Sequence, residues 1–146
     1  MYYLNDTLLT VSNRLENSVM VDFKDFRPDD LSPIYKQILL YIKKGAVSGT
    51  IKDGDELPSR RTLSVLLGIN PNTVQKAFAL LEEEGLIESR SGAKSLMCLK
   101  SARLDQLKAE LTDETARDLT QSLKQLGLSK KDALKLIDSY WDKENE

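Results

Sequence analysis

A mostly helical chain with one small β-hairpin is what this sequence predicts, on three observations. Apolar residues recur at three- and four-residue intervals through most of the chain. Glycines, prolines and capping residues cut that pattern into short lengths. Two extended runs, residues 86–90 and 95–100, face each other across the turn pair Ser91-Gly92.

Taken in order, residues 1–22 form an acidic leader in which Leu8, Val11, Leu15 and Val19 recur at helical spacing. Residues 22–32, with Pro28 and Asp29-Asp30, read as a linker or a cap, so that 1–32 is an N-terminal extension. Pro33 then opens a helix to about Val47, with Ile34, Ile38, Leu39 and Ile42 inward and Lys36, Lys43 and Lys44 outward. Residues 48–56, with Gly49 and Gly54, are a turn-rich connection. Ser59 caps the next helix, whose Leu63, Leu66 and Leu67 face one way, and Gly68 ends it. Asn70-Pro71 starts another, a capping side chain followed by a proline whose missing N–H is harmless at the first helical position.

In that helix Val74, Ala77, Phe78 and Leu81 form a buried stripe, while Asn72, Gln75 and Lys76 point the opposite way and Thr73 lies on the flank. Glu82, Glu83 and Glu84 read as a solvated helix end before the terminating Gly85. Short helix, tight turn, second helix and hairpin make residues 33–100 a winged helix-turn-helix. Asn, Gln, Thr and Lys can pair with base edges and phosphates in a major groove, so the head is expected to bind double-stranded DNA. Arg90 and Lys94 flank the hairpin tip and can reach a minor groove or grip phosphate.

The net charge of −2 runs against that expectation, but its distribution does not. Residues 33–100 hold ten basic and seven acidic side chains, net +3, whereas 1–32 are net −3 and 101–146 net −2. Acids are missing altogether from residues 31–52, 57–81 and 89–104. A phosphate backbone repels carboxylates near its contact surface, so local exclusion of acid outweighs the total. Arg61 sits in one such run and reads as a phosphate or guanine contact, or else as a surface arginine bridging to Glu56 or Glu88.

Other residue types exclude chemistry. There is no histidine, which removes the commonest general base and metal ligand, and no enzyme is expected. The single cysteine, Cys98, lies in the apolar run 96–99 and reads as strand core, so neither disulfide nor metal cluster is expected. No apolar run approaches a membrane span and no basic leader opens the chain, so a cytoplasmic protein is expected, without cofactor.

Beyond the head, Leu104, Leu107, Leu111, Thr115, Leu119, Leu123 and Leu126 step by three or four over residues 102–126, and Gly127 stops that helix. Ser129 and Asp132 open a last one to about Asp142, with Leu134, Ile137, Tyr140 and Trp141 inward. Two short helices leave one apolar face uncovered, so residues 101–146 are expected to form a homodimer through Leu119, Leu123, Ile137 and Trp141.

The motifs Pro33-Ile34-Tyr35-Lys36-Gln37-Ile38, Gly54-Asp55-Glu56-Leu57-Pro58-Ser59-Arg60-Arg61-Thr62-Leu63, Asn70-Pro71-Asn72-Thr73-Val74-Gln75-Lys76-Ala77 and Leu81-Glu82-Glu83-Glu84-Gly85-Leu86-Ile87 resemble the head of the GntR family of bacterial transcription regulators. The resemblance covers about residues 33–95, and it implies that Arg61, Asn72, Thr73, Gln75 and the tip around Gly92 contact DNA. The family's wing usually has a second glycine where this chain has Lys94. The short tail resembles the YtrA-type branch, which implies a dimer without a sizeable effector pocket. The full set expected at the DNA is Lys36, Ser59, Arg61, Asn70, Asn72, Thr73, Gln75, Lys76, Arg90, Gly92 and Lys94. The expected function is a sequence-specific regulator, a repressor, on a two-fold-related operator. The alternative is a winged helix serving protein–protein contact in a larger assembly.

Overall fold

Pro33 opens α1 (Ile34–Ser48), which buries Ile38, Ile42 and Ala46 along one face in the expected helical period. This computed structural model describes residues 19–90 and 94–143. The expected leader helix therefore lies almost wholly outside the described residues, as does Gly92.

After α1 the chain forms a two-residue strand, β1 (Glu56–Leu57), then α2 (Arg60–Leu67) and α3 (Pro71–Glu83). Strands β2 (Ile87–Arg90) and β3 (Lys94–Met97) make the wing. The sheet order is β1-β3-β2, all antiparallel, with Ile87 opposite Met97, Arg90 opposite Lys94 and Glu56 opposite Leu96. The expected hairpin thus gains a third strand from the turn-rich connection. Gly54 N–H donates to the Met97 carbonyl and Met97 N–H to the Asp55 carbonyl, a pairing too short to leave a period-two signal.

Ser59 Oγ accepts the Thr62 N–H and Asn70 Oδ1 the Asn72 N–H, so both short helices begin where capping chemistry placed them. Gly68, at φ 64°, turns α2 into α3 in the left-handed region that glycine occupies without steric cost. The core joins Ile38 and Ile42 of α1, Leu63 of α2, Val74, Ala77, Phe78 and Leu81 of α3, and Leu57, Ile87 and Met97 of the sheet.

Leu66, expected inward, is 63% exposed, as is its neighbour Val65 at 75%. The inward face of α2 is centred between Leu63, Ser64 and Leu67, which puts Leu66 roughly 100° off it at 3.6 residues per turn. Ser64 takes that place, donating its hydroxyl to the Arg61 carbonyl at 2.8 Å.

Residues 21–32 lie on the head as a cap. Val21, Phe23 and Phe26 are buried, and Phe23 stacks on Tyr41 of α1 at 5.2 Å while Phe26 meets the same ring edge-on at 5.4 Å. Burying each phenylalanine contributes about 1.5–3 kcal/mol. The Gln37 amide clamps the segment end, accepting from Asp29 N–H and donating to the Asp29 and Ser32 carbonyls. Val21 N–H reaches the Glu56 carbonyl, and Met20 bridges Glu56 in parallel, so the cap also borders the free edge of β1.

Two compact units divide the chain, Met1–Asp105 and Gln106–Glu146, with the division inside α4 (Ser101–Gln125). Gly127 follows α4, and Ser129 caps α5 (Lys130–Trp141) by accepting the Asp132 N–H. No residue of α5 is buried. Leu134, Tyr140 and Trp141, expected inward, are exposed in the single chain, Trp141 to 76%. Two helices alone have too little surface between them to cover both apolar stripes.

Candidate nucleic-acid interface

α3 presents the face expected to meet DNA. Its buried stripe fixes the helix against α1 and α2, and with that fixed Asn72, Gln75 and Lys76 are exposed and Thr73 is half-buried. Pro71 at the first position leaves no N–H to satisfy there, and Asn70 spends its side-chain oxygen on the Asn72 N–H at 2.9 Å. Ser59 is similarly committed at the head of α2: its hydroxyl accepts from Thr62 N–H and donates to the Thr62 hydroxyl at 2.7 Å. Both therefore position helix ends through groups that are already engaged.

The cations divide into four kinds. Arg61 is exposed and makes no ion pair among the described residues, while Glu56 and Glu88, its expected alternatives, take Lys94 at 3.8 Å and Arg90 at 3.1 Å. Lys36 is likewise exposed near the start of α1. Arg90 and Lys94 keep half or more of their side chains in solvent, and such surface pairs contribute about 0–1 kcal/mol, so both remain open to a phosphate.

Lys43 and Arg103 are different. Glu84 Oε2 lies 2.6 Å from Lys43 Nζ and 3.6 Å from Arg103 Nη2, and Arg103 Nε donates to the Glu84 carbonyl. The solvated helix end expected for Glu82–Glu84 holds for Glu82 and Glu83 but not for Glu84, whose position one turn beyond Leu81 points it back at α1. Lys43, expected outward, is consequently drawn in to 15% exposure.

Two cations rest on aromatic rings. Lys76 Nζ sits 4.0 Å from the Tyr35 ring centroid, and the Arg60 guanidinium 5.4 Å from that of Phe78. Arg60 Nε is buried with no hydrogen-bond partner among the described residues. Neither ring contact is legible from sequence, because each joins residues on different helices. Further back, burial, with Asp25 and Asp22 nearby, pushes the Tyr41 phenol above its ordinary value. The phenol thus stays protonated at neutral pH and donates to the Asp22 carbonyl at 2.9 Å, fastening the cap.

Comparison with known proteins places the head in a family. Residues 34–94 match the model of the bacterial regulatory proteins, gntR family. The uncharacterised HTH-type transcriptional regulator YhcF of Bacillus subtilis is 34% identical over 108 residues, 74% of this chain and 89% of that one. The chain belongs to the GntR family.

Within the GntR family it is also similar to the HTH-type transcriptional repressor YtrA of Bacillus subtilis, 36% identical over 99 residues, 68% of this chain and 72% of YtrA. Both alignments are longer than the matched head, so the likeness to these short regulators continues beyond it. A GntR-family transcriptional regulator from Listeria monocytogenes superposes with a TM-score of 0.68 at 33% identity, covering 77% of this chain and 98% of that one. The chain is thus a DNA-binding transcription regulator of the YtrA type, not an enzyme. No described helix is long and apolar enough to cross a membrane.

Proposed function

We propose that this GntR-family chain is a cytoplasmic, homodimeric repressor that binds a two-fold-related operator in double-stranded DNA. One observation carries the homodimer. Leu119 and Leu123 of α4 with Leu136, Ile137, Tyr140 and Trp141 of α5 line an open apolar groove of about 460 Å³. An exposed patch of this kind on a small soluble unit is expected to be covered, and an identical copy covers it with two-fold symmetry.

In this reading Asn72 and Gln75 of α3 meet base edges, with Thr73 and Lys76 beside them. Arg61, Lys36 and the wing residues Arg90, Gly92 and Lys94 meet phosphate or the minor groove, while Ser59 and Asn70 hold the helix starts against the duplex. Repression is favoured by the likeness to YtrA, itself described as a repressor. No small-molecule effector enters the reading.

Selection of random-sequence duplex DNA on the purified chain tests it. The expected outcome is enrichment of two inverted half-sites whose centres lie about one or two helical turns apart. Enrichment of a single unpaired motif, or of none, contradicts it.

A further inference from the structure

Lys76 differs from the basic side chains of the head that carry an ion pair. Lys43 and Arg103 lie on Glu84, Arg90 on Glu88 and Lys94 on Glu56, so each already has a carboxylate. Lys76 has none within reach among the described residues, and it lies inside the acid-free run 57–81. What holds it is the face of Tyr35, at 4.0 Å. Tyr35 is the second residue of α1, half-buried, next to the exposed Lys36, and α1 packs directly on α3.

A free lysine side chain samples many rotamers, and fixing it on binding costs roughly 0.5–1.5 kcal/mol. A ring that already carries the ammonium removes most of that cost, because the negative face of the quadrupole attracts the cation without neutralising it. A carboxylate partner would have to be displaced by an incoming anion, whereas the ring does not compete. The cation therefore stays available on its outer side, one residue along from Gln75.

We infer that Tyr35 is a positioning residue for DNA binding, its ring holding the Lys76 ammonium where a backbone phosphate meets it beside the base-reading face of α3. This rests on the DNA-reading face proposed above. Loss of the ring returns the ordering cost to the binding step and weakens affinity about two- to ten-fold. The charge count is unchanged by that loss, so the slope of log affinity against log salt stays parental. Loss of the lysine itself lowers that slope by about one unit.

The test uses the intact chain and a duplex recovered from random-sequence DNA by selection on it, with thermal unfolding recorded for each variant. Tyr35→Leu is expected to bind about two- to ten-fold more weakly at parental salt slope, and Tyr35→Phe, which keeps the ring, to restore binding. In a Lys76→Met background, Tyr35→Leu is expected to add nothing. Undiminished binding by Tyr35→Leu, or an equal loss with and without Lys76, overturns the inference. Arg61→Ala separates the two levels: if it weakens binding while Tyr35→Leu does not, only the seat is wrong. If neither Arg61→Ala nor Lys76→Met weakens binding, the DNA face is misplaced and the inference falls with it.

Discussion

Gly45 is the position where one added carbon has the clearest structural consequence. It lies in the last two turns of α1, and a Cβ built there falls 2.5 Å from Ile51 Cδ1 and 2.7 Å from Ile51 Cγ1. Carbon atoms attract best at about 3.5–4.0 Å, so both contacts are deep in repulsion. Ile51 is buried, and its N–H donates to the Gly45 carbonyl at 3.0 Å, so neither its side chain nor its backbone can swing aside freely. Overpacking of this kind costs about 1–3 kcal/mol, and the better helix propensity of alanine offsets about 0.5–1 kcal/mol. Taking the middle of each range, Gly45→Ala is expected to lose about 1 kcal/mol in urea unfolding, at an unchanged m-value. Ile51→Ala alone should cost about 2–5 kcal/mol, and clearly less when made in the Gly45→Ala chain, because it removes both clashing atoms. A Gly45→Ala chain as stable as its parent, or strictly additive losses, would refute the reasoning.

Other expectations concern the interface and its support. Asn72→Ala and Gln75→Ala should each cost about 1–3 kcal/mol on the selected duplex and much less on random DNA; equal losses on both would mean that they touch only backbone. Arg61→Ala, Lys36→Ala and Lys94→Ala should each lower the salt slope by about one unit without relaxing sequence preference, which titrations at several salt concentrations would read; three parental slopes would remove the basic face. Glu84→Ala strands the mostly buried Lys43 ammonium and should cost about 1–2 kcal/mol of stability, whereas Glu83→Ala should stay within about 0.5 kcal/mol of the parent. Indistinguishable denaturation curves for those two variants would contradict the pairing.

The head was largely legible because local rules and tertiary needs agree there. Ser59, Gly68, Asn70 and Pro71 punctuate two helices by chemistry that acts within a few residues, and the stripe Val74, Ala77, Phe78 and Leu81 needed only the helical period. What escaped was non-local. Strand β1 is two residues long and exists because β3 pairs with it, and the Glu84 contacts join residues 41 and 19 positions apart in the chain. Leu66 misled because an eight-residue helix can carry an apolar side chain on its outer surface without disturbing the face that packs. In the candidate interface, residue types suggested which side of α3 faces outward, while the ring contacts of Lys76 and Arg60 depended on how helices meet. The tail's apolar spacing leads to the expectation of a partner, and a single chain leaves those residues in solvent.

The central claim is that two heads, joined through their tails, read one operator. Sedimentation equilibrium of the chain and of a Leu123→Glu/Ile137→Glu variant, paired with binding to half-site and full-site duplexes, tests it most directly. The parent is expected at twice the 16.5 kDa chain mass and the variant at the single mass with a folded head. Because tethering makes the second contact intramolecular, the variant should lose about 10²–10⁴-fold on the full site and little on the half-site. A monomeric variant that holds the full site as tightly as the parent would contradict the account.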